Sequence, residues 1–323
     1  MKQVLTALLS LTTFLCFAQT KKMNVYLLKN DGKYVELRDS ADYIRTVTEP
    51  DSGSQLYNIV EYYLNGKKKL IGKSSKIDPP VFEGQCARFY KNGARQGLTS
   101  YRNGLKAGVE YEFYPNGKLY QEKEYPDNND QYNDLTDNFL IKTELDSLGT
   151  KVVDGGNGYY KSYDATFKSV VEEGSVKDGK KEGAWKGYFK NVGVAFNENY
   201  KDGKLVDGTA TFKDGTTSTY TRTRGTPPQY KGGLDAFYQY LGSNIVYPTD
   251  ERQNNIQGRV ILTFIVEKDG SLSEIKVIKS VSRNIDDEAV RVMKNCRKWL
   301  PGTQFGQPAR VFYTQPINFA LSN

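Results

Sequence analysis

From Gly84 onward apolar and polar residues alternate in short runs, and each run is broken by Asn-Gly or Asp-Gly. Alternation of period two marks strands with one buried face, and Asn-Gly between two such runs is the strongest local signal for a hairpin. Phe89-Tyr90-Lys91-Asn92-Gly93 returns as Phe113-Tyr114-Pro115-Asn116-Gly117, twenty-four residues later. At the same spacing Gly84 maps to Gly108 and Tyr101 to Tyr125, while Asn103-Gly104 supplies a further turn. The pattern predicts β-hairpins over 84–126, with both turn residues at positive φ, stacked into a long antiparallel meander. A second block over 174–225 carries Gly183-Ala184-Trp185-Lys186-Gly187-Tyr188-Phe189 and turns at Asp202-Gly203 and Asp214-Gly215. Residues 19–83, with Asp31-Gly32 between alternating neighbours, read as an N-terminal β-element. Residues 127–173 begin polar and rich in Asn and Asp, and read as an irregular connector.

The period changes after Thr226-Pro227-Pro228-Gln229-Tyr230-Lys231-Gly232-Gly233, a domain boundary stiffened by two prolines. Leu234, Phe237, Tyr238 and Leu241 share one face of a helix that Tyr247-Pro248 stops. Val260–Val266 is almost wholly apolar, as in a strand flanked on both edges. Asp269-Gly270 turns the chain into a second strand over Glu274–Val281. Asn284 is placed to cap a second helix, with Asp286, Asp287 and Glu288 in its first turn against the positive end of the helix dipole. Ile285, Ala289, Val292, Met293, Cys296 and Leu300 continue it as an apolar stripe to Pro301-Gly302. Arg310–Leu321 is the last strand, with Val311, Tyr313, Ile317, Phe319 and Leu321 facing inward. The expectation over 226–323 is an α+β domain of two helices on a small antiparallel sheet. Trp299 reads as a core plug, Cys296 as a small buried apolar group and Glu288 as helix-end chemistry.

Composition narrows what such a chain can do. Its 24 Tyr and 30 Gly against 3 Met suit short strands and tight turns, and the fold class is mainly β. The net charge of +7 is scattered and forms no basic block of the kind that binds nucleic acid. There is no histidine among the 323 residues, which removes Ser-His-Asp triads and His-ligated zinc. No catalytic residue, cofactor or metal site is expected. Residues 1–18, with Lys2 ahead of an apolar run and Cys16-Phe17-Ala18 at its end, read as a secretory signal peptide cleaved before Gln19. That places the mature chain in the periplasm.

The aromatic–Asn/Asp–Gly rhythm of the two repeat blocks resembles bacterial MORN-type repeats. The resemblance at the C-terminus is more specific. Tyr247-Pro248, Gly258 with Val260, Phe264 and Val266, Asp269-Gly270, Val277, Glu288, Trp299 and Pro301-Gly302 are spaced as in the C-terminal domain of TonB. The 227–233 opening looks like the variant common in Bacteroidetes proteins. The resemblance implies strand addition by a segment of an outer-membrane TonB-dependent receptor or another envelope protein, in connection with transmembrane transport. Pro316 independently places the last strand at a sheet edge, because proline cannot donate to a ladder. Arg310, Val311, Phe312, Tyr313 and Gln315 are the candidate partner-binding residues. Pairing of two copies through the same edge is the other contact it leaves open. A TonB that transmits membrane energy has a retained helix with a histidine and a Pro-rich spacer. Here the leader looks cleavable, there is no histidine, and repeats stand where the spacer would be. An uncleaved, anchored transducer and a structural envelope scaffold are the alternative readings.

Overall fold

A computed structural model describes residues 21–126 and 139–321. The predicted leader and the first part of the predicted connector lie outside these residues. The chain divides into two compact units, Met1–Asn129 and Asp130–Asn323.

The first unit is an antiparallel meander of eight strands: β1 (Met23–Leu28), β2 (Tyr43–Thr48), β3 (Tyr57–Tyr63), β4 (Lys68–Ser74), β5 (Phe82–Phe89), β6 (Arg95–Arg102), β7 (Leu105–Phe113) and β8 (Leu119–Tyr125). Each pairs with the next, so the N-terminal β-element runs without a break into the repeats. Two kinds of turn join the strands. At Asn103-Gly104 both residues have positive φ, 53° and 79°. At Asn92-Gly93 and Asn116-Gly117 only the glycine does. There Gly93 N–H donates to Tyr90 C=O and Tyr90 N–H to Ala94 C=O, while the Asn92 carboxamide accepts from Ala94 N–H. The expectation of positive φ at both turn residues therefore fails at these sites. The loops are longer, and the asparagine acts through its side chain, leaving the left-handed position to glycine. The repeat is tied laterally as well: Tyr63 Oη donates to Phe89 C=O and Tyr90 Oη to Phe113 C=O.

The second unit opens with another eight-stranded meander. Its strands are β9 (Leu140–Leu145), β10 (Lys151–Asp154), β11 (Asn157–Tyr163), β12 (Val170–Lys177), β13 (Lys180–Phe189), β14 (Val194–Lys201), β15 (Lys204–Phe212) and β16 (Thr217–Thr221). Strands β9–β11 and the start of β12 occupy most of the stretch read as irregular. Their turns are Gly155-Gly156 and Asp- or Ser-flanked loops, and the alternation between them is too short to stand out in the sequence. Large rings lie over glycines in the next strand: Gly174 pairs with Trp185, Gly187 with Phe196 and Gly208 with Tyr220. A Cβ built on Gly208 would sit 2.6 Å from the Tyr220 ring. The missing side chain is therefore the space the aromatic fills. Ile141, Val153, Tyr160, Val176 and Trp185 form one core of this sheet, and Val194, Phe196, Ala210 and Tyr220 contribute to another.

The C-terminal part has β17 (Gly225–Thr226), α1 (Gly233–Asn244), α2 (Thr249–Gln253), β18 (Gly258–Val266), β19 (Leu272–Lys279), α3 (Arg283–Lys294), β20 (Gly302–Gln304), β21 (Gln307–Ala309) and β22 (Val311–Phe319). The mainly-β chain with a C-terminal α+β region is as the sequence predicts. β18 lies central in a three-stranded sheet of order β19-β18-β22, and α3 packs on it. Three details differ from expectation. The cap of α3 is Ser282, whose side chain accepts from Ile285 N–H and donates to buried Glu251 on the unforeseen α2. α3 ends at Lys294, so Leu300 leaves the stripe and stands half exposed. Glu288 accepts from Val246 N–H at 2.6 Å and from Arg291, fastening α3 to the segment after α1. Trp299 is the plug it looked to be, 4% exposed and against Tyr230, Phe237, Phe264 and Tyr313 at centroid distances of 5.4–5.8 Å.

Candidate functional site

A three-stranded sheet has two edges, and the backbone treats them differently. On β19 the pairing with β18 slips twice, between Ile261 and Leu262 and between Thr263 and Ile265, and Glu274 sits at φ 51°. Bulges of this kind twist an edge away from incoming strands. β22 pairs with β18 over nine consecutive residues, from Val311–Val266 to Phe319–Gly258, without a slip. Its other side has no strand partner among the described residues. The proline at 316 sits within this ladder, opposite Ile261.

The five candidate residues divide by side-chain direction. Val311, Tyr313 and Gln315 face inward: Tyr313 packs on Phe264 at 5.6 Å and Trp299 at 5.4 Å, and buried Gln315 donates its amide N–H to Pro316 C=O. They hold the strand in place. Phe312 points outward and is 66% exposed. Arg310 precedes the strand, and its guanidinium is taken up by Glu267 at 3.0 Å and by Glu274. Hydrogen bonds from Ser273 and then Arg310 hold the Glu267 carboxyl below its ordinary range. Arg310 thus ties the start of β22 to both arms of the β18–β19 hairpin beside its turn.

The hairpin β20–β21 was not foreseen, and it fixes how β22 begins. It pairs with β17 on one side, and its tip places Phe305 among Val194, Phe196, Ala210 and Tyr220 of the meander. Phe305 is 4% exposed, stacks on Phe196 at 6.2 Å and meets the Tyr220 ring edge-on at 5.6 Å. Phe305 N–H donates to Arg224 C=O, and Ser218 Oγ donates to Phe305 C=O. The apolar phenylalanine between polar neighbours at a hairpin tip is the signal that could have revealed this anchor.

Below that contact lies a buried ionic cluster that no motif announced. The Glu198 carboxylate accepts from Tyr220 Oη at 2.7 Å, Tyr200 Oη at 2.9 Å and Arg224 Nε at 2.7 Å. Burial pushes its pKa up, but Arg224 and the two phenols outweigh this and hold it below the ordinary carboxylate range. Arg224 also reaches Glu172 at 3.1 Å, and its guanidinium lies over the Phe196 ring at 4.5 Å. Lys181 closes the cluster from Glu172 at 3.0 Å. Every charged group here is paired, so the arrangement is built to hold its strands together. A comparable cluster in the first unit surrounds Glu110, which accepts from Thr99, Lys106 and Tyr125 at 2.7–2.9 Å.

Residues 243–321 match the family model described as Gram-negative bacterial TonB protein C-terminal. The physical core is larger than the match, because Tyr230, Phe237 and Leu241 are buried with β18 and α3. No curated protein matches the chain. Among the described residues no helix is long and apolar enough to cross a membrane.

Proposed function

We propose that the chain is a non-enzymatic envelope protein that works in the periplasm. Its C-terminal domain docks an extended segment of an outer-membrane receptor, or of another envelope protein, by strand addition to β22, in the service of TonB-dependent transport. The carrying observation is the contrast between the two sheet edges, nine unbroken register pairs at β22 against two slips at β19. A long, regular, one-sided strand offers backbone groups in the spacing an incoming peptide needs.

Pro316 sharpens which groups those are. An edge proline is accommodated with its nitrogen on the open side. Backbone direction alternates along a strand, so Phe312, Thr314 and Asn318 turn their N–H and C=O groups the same way. Phe312 and Thr314 lead the pairing, Phe312 adds an exposed ring, and Pro316 ends the donor series. The MORN-like meanders serve as the scaffold that carries this domain.

The test is a pull-down from solubilised envelope with the full chain, comparing Thr314→Pro and Thr314→Val. Thr314 is exposed and faces away from the core. Proline there removes an outward N–H and keeps the ladder to β18, so an envelope protein recovered by the wild type and by Thr314→Val should be lost from Thr314→Pro. Equal recovery by all three would place the docking site elsewhere.

A further inference from the structure

The start of β22 opens onto a cleft of about 1090 Å³, walled by the second meander on one side and by residues 303–312 on the other. Its charge is one-sided: Lys180, Lys181, Lys204, Arg222, Arg224 and Arg310 line it, and no carboxylate does among the described residues. Four of these cations are already paired with carboxylates outside the lining, Lys180 with Asp202, Lys181 with Glu172, Arg224 with Glu198 and Glu172, and Arg310 with Glu267 and Glu274. Lys204 and Arg222 are exposed and form no ion pair with described residues, although Asp202 lies close enough to Lys204 to feel its charge. The lining also carries apolar Val192, Leu205 and Phe312. A concave wall carrying uncompensated charge of one sign concentrates ligands of the other sign. Its volume suits several side chains and exceeds what a single small anion would fill.

Resting on the strand-docking reading above, we infer that this cleft is the specificity half of that site. It takes the acidic end of the same extended peptide, with carboxylates against Lys204 and Arg222 and an apolar side chain against Leu205 and Phe312. Two observations select a peptide as the occupant. Phe312 and Val311 belong both to the cleft wall and to the open edge, so a strand paired along β22 enters the cleft at its end. The two unmatched cations supply charge complementarity to Asp and Glu and are too few to track a polyanionic backbone. The edge reads any extended backbone, whereas the cleft reads side chains, and the two together discriminate between partners.

The test is selection from a random-peptide phage library on the immobilised full chain, in the wild type, in Lys204→Glu with Arg222→Glu, and in Thr314→Pro. All should share the wild-type melting curve, since the three positions are exposed. Wild type is expected to enrich β-forming peptides with Asp or Glu at one end. The double variant should keep the β-formers and lose the acidic bias, and it should bind a selected wild-type peptide about tenfold more weakly at low salt. Absence of acidic bias in the wild type, or its persistence in the double variant, overturns the cleft assignment. If Thr314→Pro still abolishes enrichment in that case, strand docking stands without the cleft. Enrichment equal on wild type and Thr314→Pro overturns strand docking, and this inference falls with it.

Discussion

Phe305 is the side chain by which the C-terminal domain holds the second meander, and its removal isolates that contact. Its ring is 4% exposed, and all its apolar neighbours in that cluster come from the meander. None of them belongs to the C-terminal core around Trp299. Replacing a buried phenylalanine by alanine costs about 3–5 kcal/mol, from lost transfer energy and the cavity left behind. Here that cost falls on the docking of the hairpin and not on the folding of either core. Local opening of the hairpin should become on the order of 10²- to 10⁴-fold more frequent. Hydrogen exchange followed by mass spectrometry reads this directly. In Phe305→Ala, amides of 217–221 and 302–309 should exchange faster, while amides of β18 and α3 keep wild-type protection. Phe305→Leu, which retains most of the apolar volume, should recover the larger part of the loss. Uniform acceleration across β18 and α3 would refute the reasoning, because the contact would then be part of one cooperative core. No change at 217–221 would refute it equally.

Four further outcomes follow from other parts of the fold. Gly208→Ala places a Cβ 2.6 Å from the Tyr220 ring, so denaturant unfolding should show a loss of about 1–3 kcal/mol from overpacking. A neutral result would mean the ring is free to move. Tyr313→Pro should unfold the C-terminal domain, because Tyr313 pairs with Phe264 and packs on Trp299, whereas Thr314→Pro should leave its near-ultraviolet circular dichroism unchanged. Glu198 is held below its ordinary value of 4.5, so its contribution is complete above about pH 4.5 and is lost as the pH falls through the depressed folded-state value. Glu198→Gln, which leaves Arg224 without its closest partner, should cost about 3 kcal/mol at pH 7 and distinctly less at pH 3 in chemical denaturation; a pH-independent gap would deny the ion pair this role. Ser282→Ala should cost about 1 kcal/mol or more through loss of the cap on α3 and of the hydrogen bond to Glu251, measured as a shift in the urea midpoint, and Ser282→Thr, which keeps a hydroxyl for both, should restore most of it.

The parts of this fold that were legible in the sequence are those decided locally. Hairpin turns at Asn103-Gly104 and Asp202-Gly203, the apolar run of β18 and the stripe of α3 each follow from the residues that form them. Pro316 marked an edge by what it lacks. What escaped was decided at a distance. Strands β9–β11 are short and follow a polar stretch, so their alternation is visible only once β12 has paired beside them. Asn284 and Ser282 are both competent caps; Ser282 is the one used, and Asn284 lies inside the helix with its amide donated to Glu251. The Glu198–Arg224 pair joins residues that no motif links, and a hairpin whose strands are three residues each has no period to read. Of the candidate site residues, Tyr313 and Gln315 face inward on β22, while Thr314 and Asn318 are outward-turned neighbours that no pattern singled out.

The hairpin carrying Phe305 has a meaning beyond holding two parts together. β16 is the final strand of its meander, with β15 on one side only. The tip of β20–β21 lies against it, with Phe305 bonded to Ser218 and Gly306 packed close on Thr219 C=O. An uncovered final strand is where sheets of separate molecules join. A chain released before residue 302 has been made, or clipped in the 226–233 segment, would lack its stopper and would present β16 to others like itself. The C-terminal hairpin is therefore also an edge guard, covering the strand at which the repeats would otherwise pair with copies of themselves.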